Sequence, residues 1–119
     1  MTYFYLLALA AVVIGHFIFA YGQWFRWLDI CKKLTDLTED EAQKTISMGR
    51  SFASYNASIG LGICLSFLLP ETQRHWTQGV VLALVVLTAA VGASGTKGTT
   101  ILVRRLLPAA VALVFLFLK

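Results

Sequence analysis

Apolar stretches long enough to cross a bilayer recur along this chain, and most of its charges lie in the intervals between them. The stretches lie at about 3–25, 47–69, 76–93 and 101–118. A hydrocarbon core about 30 Å thick needs roughly 20 mostly apolar residues in helical form. Within it each backbone N–H and C=O must be bonded inside the segment, which a helix does by itself. The four stretches use most of the 119 residues and leave no room for a separate soluble domain. Only 13% of the residues are charged, against about a quarter in an ordinary soluble domain. The sequence therefore predicts an all-α fold of one domain over residues 1–119. Its expected architecture is a four-helix transmembrane bundle, up-down and antiparallel. The first stretch is expected to be a retained span rather than a signal peptide. Met1 to Tyr3 carries no side-chain charge, and Tyr3 to Phe25 is too long for a signal-peptide core.

The interval 28–46 is the polar part of the chain and is expected to be cytoplasmic. In it, Thr38 and Glu41 have the spacing of a capping box, in which each side chain satisfies an exposed backbone N–H. Glu39, Asp40 and Glu41 also suit the positive end of a helix dipole. A single helix is predicted from Glu39 to Leu69, roughly 45 Å long, so that the second helix extends into the cytoplasm. Pro70 and Glu71 end it, and Glu71 to Trp76 is expected to be a short turn. Ser94 to Thr100 is a second expected turn, and Pro108 predicts a kink in the last span. Trp24 and Trp27, followed and preceded by Arg26, look like an interfacial belt.

Lysine and arginine fix the expected orientation. Arg26, Lys32, Lys33, Lys44, Arg50, Lys97, Arg104 and Arg105 flank the first and third intervals, whereas the opposite side has Arg74 and Lys119. Positive flanks face the cytoplasm, so both termini are expected outside it. The net charge of +4 is explained by anchoring, and no nucleic-acid partner is expected. Arg104 and Arg105 are read as snorkelling toward anionic headgroups.

Polar groups inside a span cost free energy unless partnered, which makes them the functional candidates. They are His16, Tyr21, Gln23, Tyr55, Asn56 and Thr88. His16, Tyr21 and Gln23 of the first span are expected to face Tyr55 and Asn56 of the second around a modest polar pocket. Small residues at three- and four-residue spacing, above all Ser54, Ser58 and Gly62, are expected to form the helix-packing face of the second span. Cys31 and Cys64 read as free thiols. All six acids fall in loops or at helix starts. No nucleophile–base pair or cofactor motif is present, so neither an enzyme nor a cofactor is expected. His16 and His75 belong at different depths, so no metal site is expected.

Several of these residues together resemble a known family. His16, Tyr21, Gln23, Phe25 and Trp27 fit His-x4-Tyr-x-Glu-x-Phe-x-Trp; Leu37 to Ala42 are followed by Tyr55 and Asn56; Gly92 to Gly95 are followed by Pro108 and Ala109. In order and spacing these resemble the small bacterial membrane family catalogued as domain-of-unknown-function family 1304. Gln23 stands where that family usually has Glu. Ser51, Phe52 and Ala53 stand where it usually has Asn-Gln-Gly, and Leu106 and Leu107 replace its approach to Pro108. The resemblance implies a four-helix protein of the bacterial inner membrane and no known activity. The expected role is binding a small molecule or lipid in the pocket. The alternatives are an efflux-type transporter or an accessory subunit of a larger membrane complex, with a homodimer or membrane-protein partner. Resemblance to small multidrug transporters would imply a carboxylate in the first span, which Tyr3 to Phe25 lacks.

Overall fold

A computed structural model describes residues 2–95 and 99–119, so Met1 and Lys97, with Thr96 and Gly98 of the expected third loop, lie outside the described residues. The described residues are helical and contain no strand. Helix α1 is Thr2–Phe25, α2 is Trp27–Leu34, α3 is Glu39–Gln43, α4 is Ile46–Ser66 and α5 is Glu71–Ser94. Helix α6 is Thr99–Leu118. Helices α1, α5 and α6 are long and apolar enough to cross a membrane.

On α1 the buried residues are Tyr5, Leu9, Val12, His16 and Ala20, a stripe at three- and four-residue spacing. This stripe lies against α4 and α6. Leu9 and Val12 join Ile63, Leu82, Val85, Ala109, Ala112 and Leu116 in the core. Close approach of α4 to α1 and α2 depends on glycine. A Cβ on Gly60 would come within 3.0 Å of the Phe17 ring, and one on Gly49 would overlap the Trp27 ring.

Three expectations about elements are corrected. First, the polar interval 28–46, where a helix was expected only from Glu39, carries an additional helix, α2, before it. Arg26 leaves helical geometry at φ −133° and lets α2 turn back toward α1. There Ile30 packs against Gly22, where a Cβ would lie 3.1 Å from its Cδ1. Helix α2 buries Cys31 and leaves Lys32 and Lys33 at its polar end.

Second, the single helix from Glu39 to Leu69 is broken. The capping box of Thr38 and Glu41 forms and starts α3. Thr45 then departs to φ −108° and ψ 12°. Its hydroxyl donates to the Ala42 carbonyl at 2.7 Å and accepts from Trp27 Nε1 at 2.9 Å. A β-branched residue with a hydroxyl able to replace a backbone partner favours such a break. Trp27 is thereby turned toward α4 and half-buried. Helix α4 also ends early, at Ser66, because Pro70 disfavours helical geometry before it. Phe67, Leu68 and Leu69 close tighter turns onto Cys64, Leu65 and Ser66.

Third, Glu71 to Trp76 is helix, not turn. Pro70 sits at the cap with φ −53°, and Glu71 occupies the first turn of α5. An acid there meets the positive end of the helix dipole.

Pro108 acts on α6 through its missing N–H, which cannot reach the Arg104 carbonyl four residues back. The chain adopts a π-helical turn at Leu102–Leu106, in which the Leu107 N–H donates to the Leu102 carbonyl. The wider turn holds Arg104 exposed and Arg105 partly buried.

Candidate functional site

The residues expected to share one pocket are divided among three places. His16 lies on the buried stripe of α1, 2% exposed. Its Nδ1–H donates to the Val12 carbonyl at 2.7 Å, so Nε2 carries the lone pair. Nε2 is buried and has no hydrogen-bond partner. Arg105, on the π turn, is near enough to interact electrostatically with the His16 ring. Its Nε is likewise buried without a partner. A lone-pair acceptor and an N–H donor thus stand unsatisfied on the packed faces of α1 and α6.

Gln23 and Asn56 form the second place, about two helical turns or roughly 10 Å along α1 from His16. Asn56, 4% exposed, donates from Nδ2 to Gln23 Oε1 at 2.6 Å and to the Phe52 carbonyl at 3.1 Å. Asn56 Oδ1 is buried with no partner. This pair ties α1 to α4 at the end opposite the chain termini.

Tyr21 and Tyr55 face outward, 62% and 69% exposed, so they do not join His16 and Asn56. Tyr21 lies against Phe25, with ring planes tilted by 42°, and lines a groove on the outer side of α1. Thr88 is satisfied by the Val85 carbonyl of its own helix. The packing face expected on Ser54, Ser58 and Gly62 is also corrected. Ser54 and Ser58 are exposed, and a Cβ on Gly62 would meet nothing within 4 Å. The inward face of α4 instead runs along the buried Gly49, Ala53, Asn56, Gly60 and Ile63. The outward serines are satisfied locally: Ser54 donates to the Arg50 carbonyl and Ser58 to the Ser54 carbonyl.

A third polar cluster was not foreseen. Tyr5 of α1 donates its hydroxyl to Gln78 Oε1 of α5. Gln78 Nε2 donates to Ser66 Oγ of α4 at 2.8 Å, and Ser66 donates to the Ile63 carbonyl at 2.6 Å. Tyr5, Ser66 and Gln78 are buried. The relay ties α1, α4 and α5 together beside a cavity of about 400 Å³ that Glu71, Arg74, His75 and Lys119 also line. The available signal was Gln78, a long amide at the mouth of an apolar stretch, which needs a buried partner. Arg105 was missed because it reads equally well as a snorkelling headgroup anchor.

Among the described residues no three of His, Cys, Asp and Glu gather where a metal ion would be held. Cys31 is buried, which pushes its thiol above the ordinary thiol range; a hydrogen bond involving Thr45 opposes this more weakly.

Residues 8–117 match the family described as a protein of unknown function, DUF1304. The chain belongs to that family. No curated protein and no solved structure matches it. Within this DUF1304 chain, Gln23 retains an acceptor oxygen where the family resemblance implies a Glu carboxylate. The bond from Asn56 Nδ2 is preserved by that exchange, while the negative charge is lost.

Proposed function

We propose that this protein is a four-span protein of a bacterial inner membrane that binds a small hydrogen-bonding molecule between α1 and α6, at His16 and Arg105. The observation that carries the reading is the pair of buried, unpartnered atoms His16 Nε2 and Arg105 Nε. Lipid tails supply no hydrogen bonds, so each such atom costs free energy unless a guest satisfies it. One atom accepts and the other donates, so a molecule with a hydroxyl beside a carbonyl or anionic oxygen fits both. No acid lies on α1 before Phe25 or on α6, so Arg105 favours an anionic or strongly accepting guest over a cation. The same charge pattern disfavours the efflux-type reading, whose substrate cations would meet Arg105 in place of a carboxylate. Gln23 and Asn56 hold α4 on α1 nearby, and Asn56 Oδ1 offers a further acceptor.

Native mass spectrometry of the gently extracted protein tests this reading. A defined small-molecule adduct is expected, lost in His16→Leu and in Arg105→Gln and kept in Ser58→Leu. A bare wild-type protein, or an adduct that survives both substitutions, rules the site out and leaves these residues as helix contacts.

A further inference from the structure

We propose that the groove between α1, α2 and the start of α6 is a binding site for an acidic phospholipid of the inner leaflet. The groove encloses about 690 Å³ and has two chemically distinct parts. Ala11, Ile14, Ile18 and Pro108 make an apolar wall on α1 and α6. Arg26, Lys33 and Arg104 stand around the other part, and among the described residues no carboxylate lines it. Asp29 pairs with Arg26 at 3.1 Å, so Lys33 and Arg104 carry the uncompensated share of the charge.

Each feature follows from a fold device already described. The break at Arg26 folds α2 back over the last turn of α1 and brings Lys33 to the groove. The π turn before Pro108 leaves the Arg104 side chain outside while Arg105 faces inward. Gly15 keeps the floor low: a Cβ there would sit 3.6 Å from the Arg104 carbonyl oxygen. An apolar trough leading to two cations at the positively flanked membrane face is complementary to an acyl chain ending in a phosphate. Cationic recesses between helices on the cytoplasmic side hold such headgroups by charge-assisted hydrogen bonds. The exposed Tyr21 at the groove's rim suits the headgroup level, where amphipathic rings concentrate.

The site is separate from His16 Nε2, and the two readings fail independently. The test titrates delipidated, detergent-held protein with phosphatidylglycerol or with phosphatidylcholine of the same acyl chains, reading adducts by native mass spectrometry. Phosphatidylglycerol is expected to bind more tightly by roughly 5-fold for each engaged cation, hence about 25-fold for Lys33 and Arg104. Lys33→Gln with Arg104→Gln should abolish the preference. Ile14→Trp, which fills the apolar trough and leaves the cations in place, should weaken both lipids. His16→Leu and Arg74→Gln should leave the preference intact. Equal binding of the two lipids, or a preference that survives the double substitution, overturns the proposal. So does displacement of phosphatidylglycerol by millimolar inorganic phosphate, because the apolar wall would then contribute nothing.

Discussion

Gly49 and Ser58 lie on opposite faces of α4, and substitution at each has an opposite consequence. Leucine at 49 drives side-chain carbons into the Trp27 ring, whereas leucine at 58 points into open surroundings. Overpacking of a tight contact costs about 1–3 kcal/mol, so Gly49→Leu should melt distinctly earlier in detergent and Ser58→Leu should not. Equal melting of the two variants would show that Gly49 does not hold α4 against Trp27 of α2. Gln78→Leu is the second prediction at this scale. It strands the Tyr5 hydroxyl and removes the donor to Ser66, so a loss of about 1–3 kcal/mol is expected in the same melt. Legibility at this scale was partial. His16 and Asn56 were recognisable as polar residues in apolar stretches, and both are buried. The packing face was misread because two sets of small residues on α4 share helical spacing. Spacing places residues on a common face without saying which way it looks. A serine satisfied by the carbonyl one turn back can face outward at little cost, and that bond is invisible in the sequence.

At the scale of elements, Thr45 is the junction between α3 and α4. Thr45→Val removes its bonds to both Trp27 and Ala42 and leaves the indole N–H partly buried without an acceptor. A destabilisation of about 1–3 kcal/mol is expected from thermal melting. Thr45→Ser, which keeps the hydroxyl, should recover most of it. Neighbouring Cys31 supplies a pH-dependent readout of how α2 is buried. Burial favours its neutral thiol, so the thiolate that reacts with iodoacetamide should accumulate only above the ordinary thiol range. In a Cys64→Ser protein, alkylation that is half-maximal at the pH of a free cysteine would show that α2 stands away from its neighbours. The capping box at Thr38 was legible because it is a local exchange of two bonds. The break at Thr45 was not, because it depends on Trp27, distant in sequence and brought there by the turn at Arg26. Pro108 was legible as a disturbance, but its resolution as a π turn depends on packing against α1 and α5.

For the whole molecule the open choice is whether α4 crosses the bilayer with its neighbours. It lacks a membrane-length stretch as apolar as those of α1, α5 and α6, and has Arg50, Asn56 and a row of serines in its 21 residues. Length alone permits it, since 21 residues in a helix reach about 31 Å. Its course is more telling. Helix α4 begins beside Trp27, just past the end of α1, and finishes where Ser66 meets Gln78 and Tyr5 joins the same relay. At that finishing end Lys119 Nζ lies 4.6 Å from the Tyr5 ring centroid, and Thr2, Glu71 and Lys119 border one cavity. The first and last helices therefore have their outer ends together with the α4–α5 turn, and α4 runs the length between that end and the other. The charge bias agrees with this course: among the described residues, Arg26, Lys32, Lys33, Lys44, Arg50, Arg104 and Arg105 belong to the opposite end. Apolar length was enough to find from sequence the three helices long and apolar enough to cross a membrane. The depth of α4 was not fixed by apolar length, because several of its polar side chains find partners in Gln23, in Gln78 and in its own carbonyls. Single-cysteine proteins in a Cys31→Ser and Cys64→Ser background decide the point in intact cells. With four spans and outward termini, a membrane-impermeant maleimide should label Glu71→Cys and Lys119→Cys, and Lys44→Cys should react only after permeabilisation. If Lys44→Cys and Glu71→Cys label together, α4 does not cross and the termini lie on opposite sides. The inner-leaflet groove and the His16–Arg105 site would then both have to be placed anew in the membrane.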